Sequence, residues 1–193
     1  MSLADLPTSA AWRHEGARTG FEVAFFSAPR PPLRIRGSTG ALEAGEAWAV
    51  DYEIDLDARW RTRAARIIGR SAGGTHRRVL EADGNGCWLI DGSVAEGLDG
   101  CLDVDLESSA MTNTLPVHRD ALPVGREASA PAAYVRAIGL GIDRLEQSYR
   151  RLPDEAQNRC FDYRSPAFNF RERLVYDPSG LVLDYPGIAV RVT

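Results

Sequence analysis

Apolar and polar residues alternate along most of this chain, and such alternation predicts β-strands. The clearest run covers residues 47–55, where Trp48, Val50, Tyr52 and Ile54 fall on one face with a strict period of two. Residues 140–152 fit either a helix or a strand, and their strand-rich flanks favour a strand. Shorter alternating runs predict the other strands, at residues 21–27, 33–38, 59–68, 77–81, 87–91, 102–106, 133–142, 160–163, 168–176 and 181–184.

Two turn signals have the form of hairpin connections. Residues 83–86 (DGNG) and residues 177–180 (DPSG) both combine Asp with Gly, and these residue types suit tight turns. The stretches around them, residues 78–86 and 173–180, resemble each other as strand, turn and strand. Chance accounts for this likeness as well as a repeat does, since few turn types exist. A true repeat would imply two similar halves in one continuous curved sheet.

The number of strands and the lack of a long helix together indicate the fold class. About a dozen short strands predict an all-β protein in which residues 1–193 form a single domain. A sheet of that size curls, so we expect a highly curved antiparallel sheet forming a half-barrel or β-roll. Its concave side must be filled by a helix, by side chains or by a ligand. The sequence offers no long helix, which favours a ligand groove.

Charge and motif content exclude several classes of function. The formal net charge of −4 disfavours binding to nucleic acid. The three cysteines form no Cys-x-x-Cys pair or Cys/His cluster, and no glycine-rich phosphate loop is present, so we expect neither a metal site nor a cofactor. The first residues do not resemble a signal peptide and no apolar run is long enough to span a bilayer. We therefore expect a cytoplasmic protein without stable membrane insertion, and the oligomeric state stays open.

Residues 100–119 carry the most informative polar groups. Asp103 and Asp105 lie on the same side of a predicted strand, roughly 7 Å apart, near the separation of the paired carboxylates in glycosidases. The same aspartates could instead form structural ion pairs with Arg63 or Arg119. A polar hinge follows the strand, and its side chains could bind sugar hydroxyls or satisfy their own backbone: Thr112, Asn113 and Thr114.

Aromatic residues add a second set of candidates. Residues 21–27 are rich in aromatics and place Phe21, Val23 and Phe25 on one face. Aromatic rings stack on sugars and line small-molecule pockets, and they also fill β-sheet cores. No Gly-x-Ser-x-Gly turn is present, so we assign no catalytic residue. The aromatic residues considered for a pocket are Trp60, Trp88, Tyr149, Tyr163 and Tyr185.

These motifs, in this order, resemble the putative glycolipid-binding family over nearly the whole chain. The resemblance implies a curved antiparallel sheet around an apolar cavity, like that of bacterial lipoprotein carriers, and a lipid or glycolipid ligand. The matching elements are Asp55-x₄-Trp60-x₂-Arg63, Asp83-Gly-x-Gly-x-Trp88, Gly100-Cys-Leu-Asp-Val-Asp105-Leu, Thr112-Asn-Thr-Leu-Pro116-x₂-Arg119, Gln147-x-Tyr149 and Gly180-Leu-Val-x-Asp184-Tyr-Pro-Gly187.

The favoured hypothesis is therefore a binding or carrier protein that holds a lipid or glycolipid on the concave face of its sheet. One alternative is a hydrolase for glycosides or lipid esters that uses Asp103 and Asp105. Another is a non-catalytic interaction module with a filled core. The predicted ligand-binding residues are Trp60, Arg63, Trp88, Asp103, Asp105, Thr112, Asn113, Thr114, Arg119, Tyr149, Tyr163 and Tyr185.

Overall fold

A computed structural model describes residues 3–192, and this part of the chain is mostly β-structure. Its one α-helix, α1, spans Thr114–Asp120, and short 3₁₀ helices cover Glu96–Leu98, Met111–Asn113 and Pro166–Phe168. The strands are β1 (Ser9–His14), β2 (Arg18–Phe26), β3 (Leu33–Glu43), β4 (Glu46–Leu56), β5 (Thr62–Ser71), β6 (Gly74–Ala82), β7 (Trp88–Ile90), β8 (Ser93–Val94), β9 (Asp103–Leu106), β10 (Glu127–Ser129), β11 (Ala132–Val135), β12 (Ile142–Leu145), β13 (Ser148–Glu155), β14 (Asn158–Ser165), β15 (Phe170–Tyr176), β16 (Val182–Tyr185) and β17 (Ala189–Val192).

Fourteen of these strands form one large antiparallel sheet. Their order is β10-β13-β14-β15-β16-β17-β1-β2-β3-β4-β5-β6-β7-β8. The sheet is curved but not closed into a barrel, because β10 and β8 remain as separate edges. The predicted curved antiparallel sheet is confirmed. Within residues 140–152, β12 and β13 cover residues 142–145 and 148–152, whereas Leu140 lies in a turn with φ = 52°. The turns predicted at residues 83–86 and 177–180 connect β6 to β7 and β15 to β16.

A second, three-stranded sheet has the order β12-β11-β9, and its β9–β11 pair is parallel. The sequence pattern did not predict this second sheet or its parallel pair. The reason lies in burial: all four residues of β9 are buried. A strand enclosed on every side cannot belong to a sheet that has one face in solvent.

The interior of the curve is occupied by the chain itself. We call residues 101–117 the plug, because all but two of them are buried. The plug contacts inward-facing side chains from both halves of the large sheet, which are strands β1–β8 and strands β10 and β13–β17. The hydroxyl of Thr62 on β5 accepts the Val104 N–H at 3.0 Å. On the other side, the hydroxyl of Tyr176 on β15 donates to the carbonyl of Asn113 at 3.3 Å. The plug therefore fills most of the concave space in which the sequence analysis expected a ligand.

Residues 112–114 are helical, which corrects the prediction of a polar hinge. They belong to the 3₁₀ turn Met111–Asn113 and to the start of α1. The helix is compatible with Pro116 because that residue lies in the first turn, where a missing N–H costs no intrahelical bond.

A buried carboxylate ties the plug to β2. Glu22 is fully buried and accepts hydrogen bonds from the Tyr52 hydroxyl at 2.7 Å, from the Ala110 N–H at 2.8 Å and from the Ser109 hydroxyl. Burial raises the pKa of Glu22, and these hydrogen bonds oppose the rise. An unpaired buried carboxylate would be costly, so the bonds from Ser109 and Ala110 hold the plug against β2, and Tyr52 on β4 satisfies the same carboxylate.

The inward position of Glu22 fixes which way β2 faces. Phe21, Val23 and Phe25 do share one face, but that face points outward, with Phe21 46% and Phe25 55% exposed. Ala24 and Phe26 point inward with Glu22. In contrast, the alternation predicted for residues 47–55 faces the core, as expected from its buried aromatic and aliphatic side chains.

Candidate functional site

A cavity of about 180 Å³ remains between the plug and strands β14, β15 and β16 of the large sheet. We call it the tyrosine cavity. Polar side chains of the plug form one wall, and aromatic rings of β14, β15 and β16 form the opposite wall. Its lining residues are Arg18, Asp105, Leu106, Glu107, Ser109, Asn113, Tyr134, Leu145, Tyr163, Ser165, Phe168, Phe170, Tyr185 and Ile188.

Asp105 is the central acidic group of the plug wall. Its Oδ1 accepts the Thr112 hydroxyl at 2.7 Å, and no described residue hydrogen-bonds its Oδ2. Burial raises the pKa of Asp105 to about 6, the Thr112 hydroxyl opposes the rise, and the negative charges of Asp103 and Glu107 add to it. The free oxygen can therefore accept a hydrogen bond from a ligand hydroxyl.

Asn113 adds an amide beside this carboxylate. Its Oδ1 accepts the Tyr149 hydroxyl at 2.8 Å, which fixes the orientation of the side chain. Once the oxygen is engaged in this way, the amide nitrogen is the group that can donate to a ligand. Asp105 and Asn113 together thus offer an acceptor and a donor on the same wall of the cavity.

The opposite wall is a cluster of aromatic rings in edge-to-face contact. The ring centroids of Tyr163 and Tyr185 are 5.9 Å apart, those of Phe170 and Tyr185 are 5.7 Å apart, and those of Tyr163 and Phe170 are 6.0 Å apart. The Tyr163 hydroxyl donates to Oε1 of Gln147 at 2.8 Å. These contacts fix the rings before any ligand arrives. Phe168, 46% exposed, marks the side on which the cavity meets solvent.

Arg18 brings positive charge to the lining. Its Nη1 donates to the carbonyl of Glu107 at 2.8 Å, its Nε lies 3.5 Å from a carboxylate oxygen of Glu43, and its guanidinium lies 5.4 Å from the ring centroid of Trp48. The guanidinium is therefore held in place by an ion pair and a ring. A cavity with both Arg18 and Asp105 can bind a neutral, hydroxyl-rich group as well as a charged one.

The volume of the cavity limits what it can hold. It is close to the ~150 Å³ of an apolar cavity that holds one benzene molecule, and below the ~300–1,000 Å³ of a drug-sized pocket. One six-membered ring fits this space, whereas a long acyl chain does not. Polar groups on one wall and aromatic rings on the other suit a sugar ring, whose hydroxyls hydrogen-bond and whose C–H faces pack on aromatics.

Six of the twelve predicted site residues belong to this cavity or support it. Thr112 and Tyr149 support it through their hydrogen bonds to Asp105 and Asn113. The predicted residues in the lining are Asp105, Asn113, Tyr163 and Tyr185.

Asp103, which was predicted to act with Asp105, lies outside the cavity lining and is paired with Arg119. The side chains of the pair are 2% and 9% exposed. Burial raises the pKa of Asp103 to about 6, and the Arg119 charge opposes the rise. The ion-pair alternative therefore holds for Asp103, and the two aspartates do not share a cavity as a glycosidase pair would.

The other four predicted residues lie elsewhere. Trp88 is buried and its indole N–H donates to the carbonyl of Cys101 at 2.8 Å, and Thr114 is buried in α1. Arg63 is exposed, and its Nε donates to the carbonyl of Ala82 at 3.0 Å. Trp60 lines a different opening, described below.

The sequence did not single out several lining residues. Glu107 could have been found, because it continues the alternation of Asp103 and Asp105 by two positions. Arg18, Ser109, Phe168 and Phe170 gave no such signal, since their places depend on contacts between distant parts of the chain. Within residues 3–192, no group of three or more His, Cys, Asp or Glu could hold a metal ion, and no helix has the length and apolar character to cross a membrane.

Comparison with known proteins identifies one family and several similar solved structures. The sequence profile of the family described as putative glycolipid-binding matches residues 9–191. The crystal structure of a DUF1089 family protein from Pseudomonas aeruginosa is 31% identical to this chain, covers 94% of it and 95% of its own length, and superposes with a TM-score of 0.78. No protein with a curated description matches.

A more distant structural likeness concerns the fold alone. The β-barrel-like protein of domain of unknown function DUF1849 from Brucella abortus is 9% identical, with a TM-score of 0.50. The match covers 99% of this chain and 95% of that protein. At this identity the likeness supports a shared curved sheet and carries no information about a ligand.

Proposed function

This chain belongs to the putative glycolipid-binding family, and we propose that it binds a glycolipid through a sugar ring held in the tyrosine cavity. The observation that carries the proposal is the arrangement of the two walls. Asp105 and Asn113 face the ring cluster of Tyr163, Tyr185 and Phe170 across a space of about 180 Å³. This is the size and the polarity that one sugar residue requires.

The position of the lipid tail follows from the size of the cavity. Because the plug occupies the concave face, a long acyl chain has no room beside the sugar. The tail then leaves through the mouth, where Phe168 is exposed and Phe170 and Ile188 are half-buried. Contact with these side chains contributes affinity through apolar burial, at about 25 cal/mol per Å².

A titration series tests the proposal directly. The ligands are free glucose, octyl glucoside below its micellar concentration, and octanol, and binding is measured by isothermal titration calorimetry. Octyl glucoside should bind more tightly than either of its parts. Asp105→Asn should weaken its binding about tenfold, the loss expected for one hydrogen bond to a charged group. The matched control is Arg63→Gln, on the outer surface, which should leave affinity unchanged.

Native mass spectrometry of protein purified from its own host identifies the natural ligand. A retained mass that is lost on denaturation and yields a sugar fragment would support the proposal. Equal binding of octanol and octyl glucoside would overturn it, since the sugar would then contribute nothing. Release of free glucose during the titration would instead favour the hydrolase alternative.

A further inference from the structure

A second, larger opening lies away from the tyrosine cavity. It has a volume of about 800 Å³, within the range of small-molecule pockets, and we call it the Trp60 groove. It lies at the C-terminal end of α1, where residues 121–124 leave the helix, whereas Asn113 at the other end of α1 lines the tyrosine cavity. The seven-residue helix is about 10 Å long, so the two openings are separate sites.

The backbone at Trp60 is the most unusual feature of this groove. Trp60 has φ = 63°, the left-handed region that disfavours residues with a side chain. It is the fourth residue of a five-residue turn in which Oδ1 of Asp57 accepts the N–H groups of Arg59 and Arg61, at 2.8 and 3.1 Å. A tryptophan at such a position costs free energy that a glycine would not.

Two other turns of the chain show what normally occupies this position. Asp83 accepts the N–H groups two and four residues later, and Asp177 accepts the Ser179 hydroxyl and the N–H of residue 181. The fourth residue of those turns is Gly86 (φ = 105°) or Gly180 (φ = 79°). The turn at residues 57–61 therefore keeps an indole where its two counterparts have no side chain.

The indole ring of Trp60 lies over the ring of His118. The rings of Trp60 and His118 are stacked, with centroids 3.7 Å apart and planes 19° apart. Gly180 also lies against the His118 ring, since an added Cβ there would come within 2.6 Å of Nε2. Burial lowers the pKa of His118 to about 4, and the nearby Arg159 charge lowers it further, so the ring is neutral near pH 7. Trp60 is only half-buried and lines the groove, so its outer face is available to a ligand.

Charge in the groove is mostly positive, on a protein whose net charge is −4. Three arginines line it, Arg30, Arg151 and Arg159, against one acidic residue, Asp154. Arg151 is buried, pairs with Asp154 and lies 5.2 Å from the ring centroid of Phe161, so its position is fixed. Burial lowers the pKa of Arg159, the neighbouring Arg151 charge lowers it further, and the Asp154 charge opposes the fall.

Apart from Gln157, the rest of the lining is apolar. Proline and aliphatic side chains extend from the indole along the groove, and Val124 among them is 56% exposed. From this combination we propose that the Trp60 groove binds an anionic amphiphile, with its negative group at Arg151 and Arg159 and its apolar body against Trp60 and residues 122–124. This proposal does not depend on the sugar site.

Decyl phosphate below its micellar concentration is the probe for this proposal. Binding is followed by calorimetry and by tryptophan fluorescence, since Trp12, Trp48 and Trp88 are buried and Trp60 is the tryptophan that lines the groove. Inorganic phosphate tests the anionic group alone, and decanol tests the apolar body alone. We expect decyl phosphate to bind at least about tenfold more tightly than either, and added salt to weaken it.

Trp60→Gly is the decisive variant because it gives the turn the residue found in its two counterparts. It should abolish the fluorescence response and weaken decyl phosphate binding at least about tenfold, with Tm unchanged or raised. Trp60→Phe keeps a ring and should retain binding within about threefold. Arg159→Gln should weaken binding about tenfold. The matched control is Arg13→Gln, at a surface arginine outside the groove that pairs with Glu15, and it should leave binding unchanged.

The failures are equally specific. Full binding by Trp60→Gly would overturn the role of the indole, and a large fall in its Tm would overturn the argument from backbone strain. Decanol binding as tightly as decyl phosphate would overturn the anionic part. If inorganic phosphate bound as tightly as decyl phosphate, the groove would be a simple anion site, and the proposal that it binds an amphiphile would be overturned. None of these results bears on octyl glucoside, so the two sites are tested separately.

Discussion

Asp103 and Asp105 lie two residues apart on β9, and their surroundings divide the plug into a closed region and an open region. Asp103 is buried against Arg119, and this region has a structural role. Asp105 is also buried, but its partner is the neutral Thr112 hydroxyl and it lines a cavity. Two carboxylates in one alternating pattern therefore need not share a role. The role of each depends on the side chain that the tertiary fold places beside it.

The largest expected effect comes from breaking the closed region. Arg119→Ala leaves Asp103 buried without its counter-charge and should lower the free energy of unfolding by about 3–5 kcal/mol at pH 7.5. Chemical denaturation measures this change. Arg63→Ala, at an exposed arginine, should change stability by less than about 0.5 kcal/mol.

The pH dependence of the Arg119→Ala variant sharpens the test. Arg119 opposes the rise in the Asp103 pKa, so its removal moves that pKa still further up. The destabilisation should therefore be smaller at pH 5, where Asp103 takes up a proton and no longer needs a counter-charge. A penalty that is equal at pH 5 and pH 7.5 would mean that lost packing, and not the unpaired charge, causes it.

An intermediate effect is expected in the open region. The Asp105 pKa is about 6 in the folded protein against 3.8 for an ordinary aspartate, so the folded state binds the proton more tightly. The buried charge therefore costs stability above pH 6, and that cost disappears as the pH falls towards 4. Asp105→Asn should be more stable relative to wild type at pH 7.5 than at pH 4.5, by roughly 2 kcal/mol.

The control for this pH effect is Asp51→Asn, at a surface aspartate. Hydrogen bonds from Ser38 and Arg70 lower the Asp51 pKa, so its charge stabilises the fold and the pH dependence should have the opposite sign. If Asp105→Asn and wild type keep the same difference in stability across this range, the carboxylate is not buried in the way that the structure describes.

The smallest expected effect tests whether the fixed orientation of the Asn113 amide contributes to ligand binding. Tyr149→Phe removes the hydrogen bond to Oδ1 of Asn113 and should lower the free energy of unfolding by about 1–2 kcal/mol. It should also weaken the binding of octyl glucoside, because the amide loses its fixed orientation. Tyr176→Phe removes the longer bond to the Asn113 backbone carbonyl and should leave affinity unchanged. Equal losses of affinity in the two variants would show that the amide orientation does not matter.

Local patterns were sufficient for much of the fold. The alternation of Trp48, Val50, Tyr52 and Ile54 predicts a strand and its buried face, since an apolar side chain gains free energy from burial whatever its partner. The same logic fails for β2, where Glu22 faces inward because its donors, Ser109 and Ala110, lie nearly ninety residues away in sequence. A seven-residue helix such as α1 is also too short to show a helical period.

The candidate site could be predicted in its residue types but not in its grouping. Asp105, Asn113, Tyr163 and Tyr185 were all proposed as ligand-binding residues, and the structure brings them to one cavity. Nothing in the local sequence separates Asp105 from Asp103, because only the tertiary fold places Arg119 beside one of them.

The pairing of β17 with β1 has a consequence for synthesis of the protein. β17 follows every other strand of the large sheet in sequence, yet it lies in the middle of that sheet and joins its two halves. While a ribosome is still producing the chain, β1 keeps an open edge to which a strand of another nascent molecule could attach. A chaperone that shields the N-terminal half should therefore raise the yield of native protein more than one that acts after release.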